Sequence, residues 1–251
     1  MKAVLFDLDG TLWGHTAPPD FARITQLQVS ALASEFEQLD APVERRTKIV
    51  EAVWSEFRAA DERTGGEGTL REVDGIEVVR AAVARYGLDI RAGDAARWWD
   101  VLHSIPYSHF NIRPYGDAIE TLQGLRALGL RIGIVTNQPM TAAVLVPHLD
   151  EAGLLAHIDT VVTAADVGYR KPHPSVFLAA LEALEVAPSQ AIMVGDSFVN
   201  DVIPAMQLGM TAVLKAGAAS EDRGAAPFAI AELAELLALE IVDSSALRST
   251  Y

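Results

Sequence analysis

Two aspartates placed two residues apart, Asp7 and Asp9, close the apolar run Ala3-Val4-Leu5-Phe6 near the start of the 251-residue chain. An uninterrupted apolar run of that length reads as a strand buried on both faces. Period-two alternation points Asp7 and Asp9 the same way and turns Leu8 back into protein, after which Gly10-Thr11 redirects the chain. Later strand-like runs also end in polar groups. Arg131-Ile132-Gly133-Ile134-Val135 leads into Thr136-Asn137, the strand near Thr160–Thr163 precedes a loop carrying Lys171, and Ala191-Ile192-Met193-Val194 leads into Gly195-Asp196-Ser197 with Asp201 following.

In a parallel sheet the carboxyl ends of the strands lie along one edge, so these residues converge on one cleft. There Asp7, Asp9, Asp196 and Asp201 repel one another by roughly 4 kcal/mol for each pair about 4 Å apart at an effective dielectric near 20. Lys171 alone does not balance them, whereas a divalent cation does. The offered ligands are all oxygen, with neither Cys nor His among them, which favours Mg²⁺ over zinc. A cation on one side and a lysine on the other leave a place for a doubly charged phosphate, with Thr136 and Asn137 as short neutral donors. Phosphoryl chemistry is the simplest use of such a cleft.

The elements that position these groups alternate between helix and strand. Helices are expected over Ala118–Leu128, stopped by Gly129, then near Ala142–Glu151 and near Val176–Leu184, with a last helix and short strand near Asn200–Val213. The tail from Ala216 to Tyr251 holds a strand-like patch at Phe228-Ala229-Ile230, a Leu/Ala/Glu-rich helix and loose final residues. Residues 15–110 differ in texture. Phe21, Ile24, Leu27, Ala31 and Leu39 recur at helical spacing, as do Ile49, Val50, Val53, Trp54 and Phe57. Gly65-Gly66-Glu67-Gly68 is expected to break the pattern. Beyond it Ile76, Val79, Val83 and Tyr86 mark a third helix, and Ala95, Trp98, Val101, Leu102 and Ile105 a fourth. The expected class is α/β: a Rossmann-like parallel sheet sandwiched by helices, built from 1–14 and 111–251, with 15–110 inserted as an α-helical bundle.

Composition bounds the partners. Half the chain is apolar, enough for a sizeable core, and 34 acidic against 20 basic residues give a formal charge of -14. That balance argues against nucleic acid and against an acidic membrane surface. No apolar run approaches the roughly 20 residues of a membrane span, and no targeting signal is seen. The absence of cysteine excludes disulfides, thiolate metal sites and cysteine nucleophiles, and fits a cytoplasmic protein.

With these residues in view, the sequence resembles the haloacid dehalogenase (HAD) superfamily. Asp7-Leu8-Asp9-Gly10-Thr11 is similar to its first motif, Thr136-Asn137 to its second, Lys171 in Gly-Tyr-Arg-Lys-Pro to its third and Gly195-Asp196-Ser197-Phe198-Val199-Asn200-Asp201 to its fourth, in the right order. The helical insertion between the first two resembles the family's first type of cap. The resemblance implies that Asp7 attacks phosphorus to form an aspartyl phosphate and that Asp9 serves as acid and then base. It also implies that Mg²⁺ is held by the side chains of Asp7 and Asp196 and the backbone carbonyl of Asp9, with Asp201 helping directly or through water. Lys171 would neutralise Asp7 and the phosphate. The superfamily's dehalogenases lack an acid two residues after the nucleophile, so Asp9 favours a small phosphate ester over a halide. A sugar-phosphate mutase, or a silent relative that only binds metal or phosphate, remains the alternative.

On the insertion, Trp54, Phe57, Trp98 and Trp99 read as core, and His15, Arg58, Arg63, His103, Tyr107 and His109 as the side chains with reach toward a ligand, His15 and His109 nearest by connectivity. Arg170 reads as a surface residue. Oligomeric state has no signature.

Overall fold

A computed structural model describes residues 1–216 and 224–242. The run Ala3–Phe6 forms β1, every residue of it buried. Trp13–His15 is β2. The helices α1 (Phe21–Ala31), α2 (Ala33–Gln38), α3 (Val43–Glu67), α4 (Gly75–Ala84) and α5 (Ala92–His103) follow, and then β3 (Ile112–Pro114). The alternating part runs α6 (Ala118–Ala127), β4 (Arg131–Thr136), α7 (Ala142–Glu151), β5 (Thr160–Thr163), α8 (Ala164–Val167), α9 (Pro174–Ala183) and β6 (Ala191–Gly195). A π-helical turn at Phe198–Val202 then leads into α10 (Ile203–Gln207), β7 (Thr211–Lys215) and β8 (Phe228–Ile230).

Six strands form one parallel sheet in the order β5-β4-β1-β6-β7-β8. The first strand is therefore interior, with Phe6 opposite Ile134 of β4 on one side and Val194 of β6 on the other. Alternation along it feeds two apolar layers. Val4 and Phe6 pack with Ile132, Ile134, Leu122 and Leu145 beneath α6 and α7. Ala3 and Leu5 pack with Met193, Phe177, Leu181 and Ala205 beneath α9 and α10. Both faces are covered, which is why the strands are near-continuously apolar and why their first charged groups appear where the strands end.

The insertion begins and ends at one place. β2 and β3 pair antiparallel, with His15 opposite Ile112, and His15 Nδ1 lies 3.0 Å from the Phe110 carbonyl. Helices α1 to α5 gather around a separate apolar cluster that includes Phe36, Ile49, Val53, Val79, Trp98 and Trp99. Helix α4 is started by Asp74, whose carboxylate accepts from the Ile76 and Glu77 amides, a capping contact of about 1 kcal/mol.

Three expectations need correction. Helix α3 runs through Gly65 and stops only at Gly68, whose φ of 64° suits glycine and closes the helix by a left-handed cap. Phe21 is 68% exposed, and the polar Gln28 is buried on α1 together with Ile24. The Gln28 amide is satisfied there, donating to the Leu102 carbonyl at 2.9 Å and accepting from Trp54 Nε1 at 3.0 Å. Among the described residues the Leu/Ala/Glu-rich stretch forms a short 3₁₀ helix, Leu233–Ala238, in place of the expected α-helix. The final residues expected to be loose, 243–251, lie outside the described ones. Among the described residues no helix is long and apolar enough to cross a membrane.

Candidate functional site

β1, β4 and β6 end side by side, and the loops leaving them, together with the loop before α9, enclose a cavity of about 150 Å³. It is lined by Asp7, Asp9, Thr136, Asn137, Lys171, Asp196 and Asp201, with Ser197 and Asn200 added. The convergence expected from the strand ends is thus complete. Larger cavities, of about 460 and 640 Å³, lie on the helical insertion and share no lining residue with this one. Charged groups, not volume, single out the sheet edge.

Lys171 is the hub. Its ammonium donates to Asp7 Oδ1 at 2.6 Å and to Asp201 Oδ1 at 2.7 Å, and its side chain is 3% exposed. Burial alone would lower its pKa, but the charges and hydrogen bonds of Asp7 and Asp201 outweigh that and hold it above the ordinary lysine value. Asp7 also accepts from Thr11 Oγ1 at 3.1 Å. Carboxylate oxygens of Asp7, Asp196 and Asp201 lie within 4.8 Å of one another. Burial raises the pKa of both Asp196 and Asp201 above the usual carboxylate range, the negative charge of Asp7 adding to it and the attraction of Lys171 opposing it.

The turn after Leu8 admits this crowding. Gly10 has φ 78°, and a β-carbon there would lie 2.1 Å from Asp196 Oδ2, so only glycine lets the two loops close together. Gly195 plays the same part for Asp201, whose carboxyl carbon would lie 2.3 Å from an added β-carbon.

Asp9 stands apart from the cluster. Its Oδ1 accepts from Trp13 Nε1 at 2.9 Å and its Oδ2 from Gln138 Nε2 at 2.6 Å. Gln138 is itself fixed by Tyr107, whose hydroxyl donates to Oε1 at 3.2 Å. The Asp9 carboxylate is open to solvent but ringed closely by protein. Desolvation by those surroundings raises its pKa, with the Trp13 hydrogen bond opposing and the Asp7 charge adding.

Thr136, the last residue of β4, is buried against the cavity. Asn137 spends most of its amide on the Lys171 backbone, accepting from its N–H at 2.7 Å and donating to its carbonyl at 3.2 Å. One amide hydrogen is left for a ligand. Of the insertion side chains expected to reach a ligand, Tyr107 bonds toward the site, through Gln138. Arg58 and Arg63 line the two larger cavities. His103 is buried among Trp54 and Trp99 and donates to the Trp99 carbonyl at 2.8 Å, its pKa pushed down to about 4 by burial. Trp99, read as core, is buried and reaches across to donate to the Pro139 carbonyl at 2.9 Å.

Sequence reasoning missed Gln138 and Lys215. Lys215 ends β7 on the same sheet edge, donates to the Gly10 carbonyl at 3.1 Å and sits 3.8 Å above the Tyr115 ring. The strand-end rule that found the other residues applies to it equally.

Comparison with known proteins places the molecule. A family model described as haloacid dehalogenase-like hydrolase matches residues 1–209, so the chain belongs to that family of hydrolases. A ribulose-1,5-bisphosphate 5-phosphatase of Halopiger xanaduensis is 30% identical over 217 residues, covering 84% of this chain and 83% of the relative. A phosphoglycolate phosphatase of Rhodospirillum rubrum is 35% identical over 222 residues, covering 85% and 78%. Among solved structures, an HAD phosphatase from Thermococcus onnurineus superposes with a TM-score of 0.58 at 29% identity, covering 94% of this chain and 96% of that one.

Proposed function

We propose that the protein is a Mg²⁺-dependent phosphatase that hydrolyses a small phosphorylated metabolite through an aspartyl phosphate on Asp7. The observation that carries this reading is the division of labour among the carboxylates. Asp7, Asp196 and Asp201 form an all-oxygen cluster, while Asp9 is held outside it by Trp13 and Gln138, free to carry a proton. The cluster fits a hard divalent cation, since its oxygens are close, anionic and short of positive charge. Asp7, Asp196 and the Asp9 backbone carbonyl would hold it, with Asp201 in support. When bound there the cation neutralises charge on the phosphoryl oxygens.

The remaining work is done by the chain's own side chains. Lys171 directs Asp7 through its 2.6 Å hydrogen bond and brings its positive charge to the phosphoryl group. Asp7 attacks phosphorus in line with the ester oxygen. Asp9, whose pKa desolvation raises, delivers a proton to the departing oxygen; as a carboxylate it then takes a proton from the water that cleaves the acyl phosphate. The residues 15–110 act as a cap that excludes bulk water. A cavity of about 150 Å³ holds a phosphate and a few more atoms, since a water takes about 30 Å³ in the liquid. That size, with the sugar-phosphate and glycolate esters named for the relatives, supports a small metabolite rather than a phosphoprotein.

The test is hydrolysis of an aryl phosphate. Wild type should release phosphate only with Mg²⁺, D7N should be inactive, and D9N should accumulate a phosphoryl adduct on the protein visible by mass spectrometry. Wild type that leaves a broad panel of phosphate esters intact would sink the reading. Isomerised product in place of free phosphate would identify a mutase.

A further inference from the structure

The backbone of Lys171 is gripped from two sides. On the sheet side Asn137 brackets its peptide groups, as described above. On the insertion side the connection between α3 and α4 runs antiparallel to the residues just before the lysine. The Arg170 amide donates to the Leu70 carbonyl at 2.8 Å, the Glu72 amide donates to the Gly168 carbonyl at 3.1 Å, and Arg71 lies opposite Tyr169. Side chains close this two-residue ribbon. Arg170 pairs with Asp61 of α3, and its Nε stands 3.5 Å from Glu72 Oε2. The Arg71 guanidinium covers the Tyr169 ring at 5.3 Å, and that ring stacks on His173 at 4.0 Å.

Glu72 is a costly fastener. Its side chain is 4% exposed, one oxygen accepts from the Val73 amide at 2.9 Å, and Oε2 has no hydrogen-bond donor, only the Arg170 charge. A buried pair of this kind contributes little net stability compared with apolar packing. It does tie together two pieces of chain about 100 residues apart. One of those pieces is the peptide bonded to Lys171.

We propose that Arg170 and Glu72 are positioning residues for Lys171: they close a clasp through which the seated helical insertion fixes the lysine against Asp7. The proposal rests on the phosphatase reading of the site. Seating the insertion then does more than exclude water, because it also sets the place of the charge that Asp7 and the phosphoryl group require. A shift of about 1 Å in a reacting group costs on the order of 100-fold in rate, so loosening the clasp acts on turnover more than on ground-state binding.

The test uses kinetics together with an inter-label distance. With Mg²⁺ and an aryl phosphate, R170M should lower kcat by about 10- to 100-fold while KM changes by less than about threefold, and R170K, which keeps the charge, should recover part of the loss. The E72Q/R170M double variant should be no slower than R170M, since both residues act through one contact. The chain has no cysteine, so V43C on α3 and L178C on α9, at positions 74% and 46% exposed, take nitroxide labels specifically. Pulsed electron resonance should give one narrow distance distribution in the otherwise wild-type protein and a broadened one with R170M added. Wild-type kcat in R170M overturns the proposal, and so does an unchanged distribution whatever the kinetics. An inactive wild type overturns the phosphatase reading instead, because the distances are read without turnover.

Discussion

Replacing Lys171 by methionine separates what holds the site together from what makes it react. The ammonium bridges Asp7 and Asp201 at 2.6 and 2.7 Å, and the three side chains are 3%, 9% and 1% exposed. Removing one partner of a buried pair costs about 3–5 kcal/mol, because the remaining charge is left without compensation. At roughly 2–4 °C per kcal/mol for a chain of this size, the melting temperature of K171M without Mg²⁺ should fall by about 6–20 °C. Adding Mg²⁺ should recover part of that fall, since the cation supplies the charge that the lysine no longer does. In K171M/D201N one of the stranded carboxylates becomes a neutral amide, so the double variant should melt above K171M in cation-free buffer. Turnover should not follow stability. The loss of a preorganised charge at the phosphoryl group costs about 100- to 1,000-fold in kcat, and the double variant should remain at that level. Calorimetric melting with and without Mg²⁺, beside steady-state kinetics on the same samples, decides the matter. K171M that melts like wild type, or that keeps turnover within a few-fold, refutes the reasoning.

Further expectations concern the turn, the clasp and the aromatic cluster. G10A forces a β-carbon to within 2.1 Å of Asp196 Oδ2 at φ 78°, with left-handed strain of about 1–2 kcal/mol; the Mg²⁺ concentration for half-maximal activity should rise by about tenfold or more in an activation titration. Burial raises the pKa of Glu72 to about 7, against the charge of Arg170 and with that of Asp61 adding, in a cavity also lined by Arg63, Arg71, Asp74 and Glu77. A raised carboxylate contributes stability below its ordinary value that is lost as pH rises through about 7, so the unfolding free energy from urea titrations should fall between pH 5 and pH 8 by up to about 3 kcal/mol more in wild type than in E72Q. His103 has the opposite sign. Buried as the neutral form, it should weaken the fold as pH falls from about 6.5 toward 4, and H103N should flatten that limb of the stability curve.

The strand ends carried most of what the sequence disclosed. Asp7, Thr136, Asn137, Asp196 and Asp201 each follow an apolar run whose length and burial are set by local pattern, and parallel pairing does the rest. Lys215 escaped because the expected strand ends at Val213, although Leu214 beyond it is apolar and buried and Lys215 is the strand's last residue. Gln138 escaped for another reason: its worth lies in reaching Asp9 across a gap of 129 residues, which leaves no mark on its neighbours. The Leu70–Glu72 ribbon is too short for any periodicity. Gly65 and Gly66 lie inside α3, each costing about 1 kcal/mol relative to alanine, and the helix ends instead at Gly68, where the positive φ closes it. Phe21, in register with the buried Ile24 and Gln28 but in the first turn of α1, stays exposed.

The interior position of β1 also bears on how the chain is made. Its two neighbours are β4 and β6, and Phe6 meets Val194 only after about 190 further residues have been added. At about 5–20 residues per second this is a delay of roughly 10–40 s. Throughout that interval Ala3-Val4-Leu5-Phe6, an apolar segment destined for the middle of the sheet, has only one of its edges or neither paired. Helices α1 to α5 emerge meanwhile and have their own apolar cluster to close. During synthesis β1 is thus made long before both of its neighbours, and the strand that delivers Asp7 needs protection from other chains until they arrive.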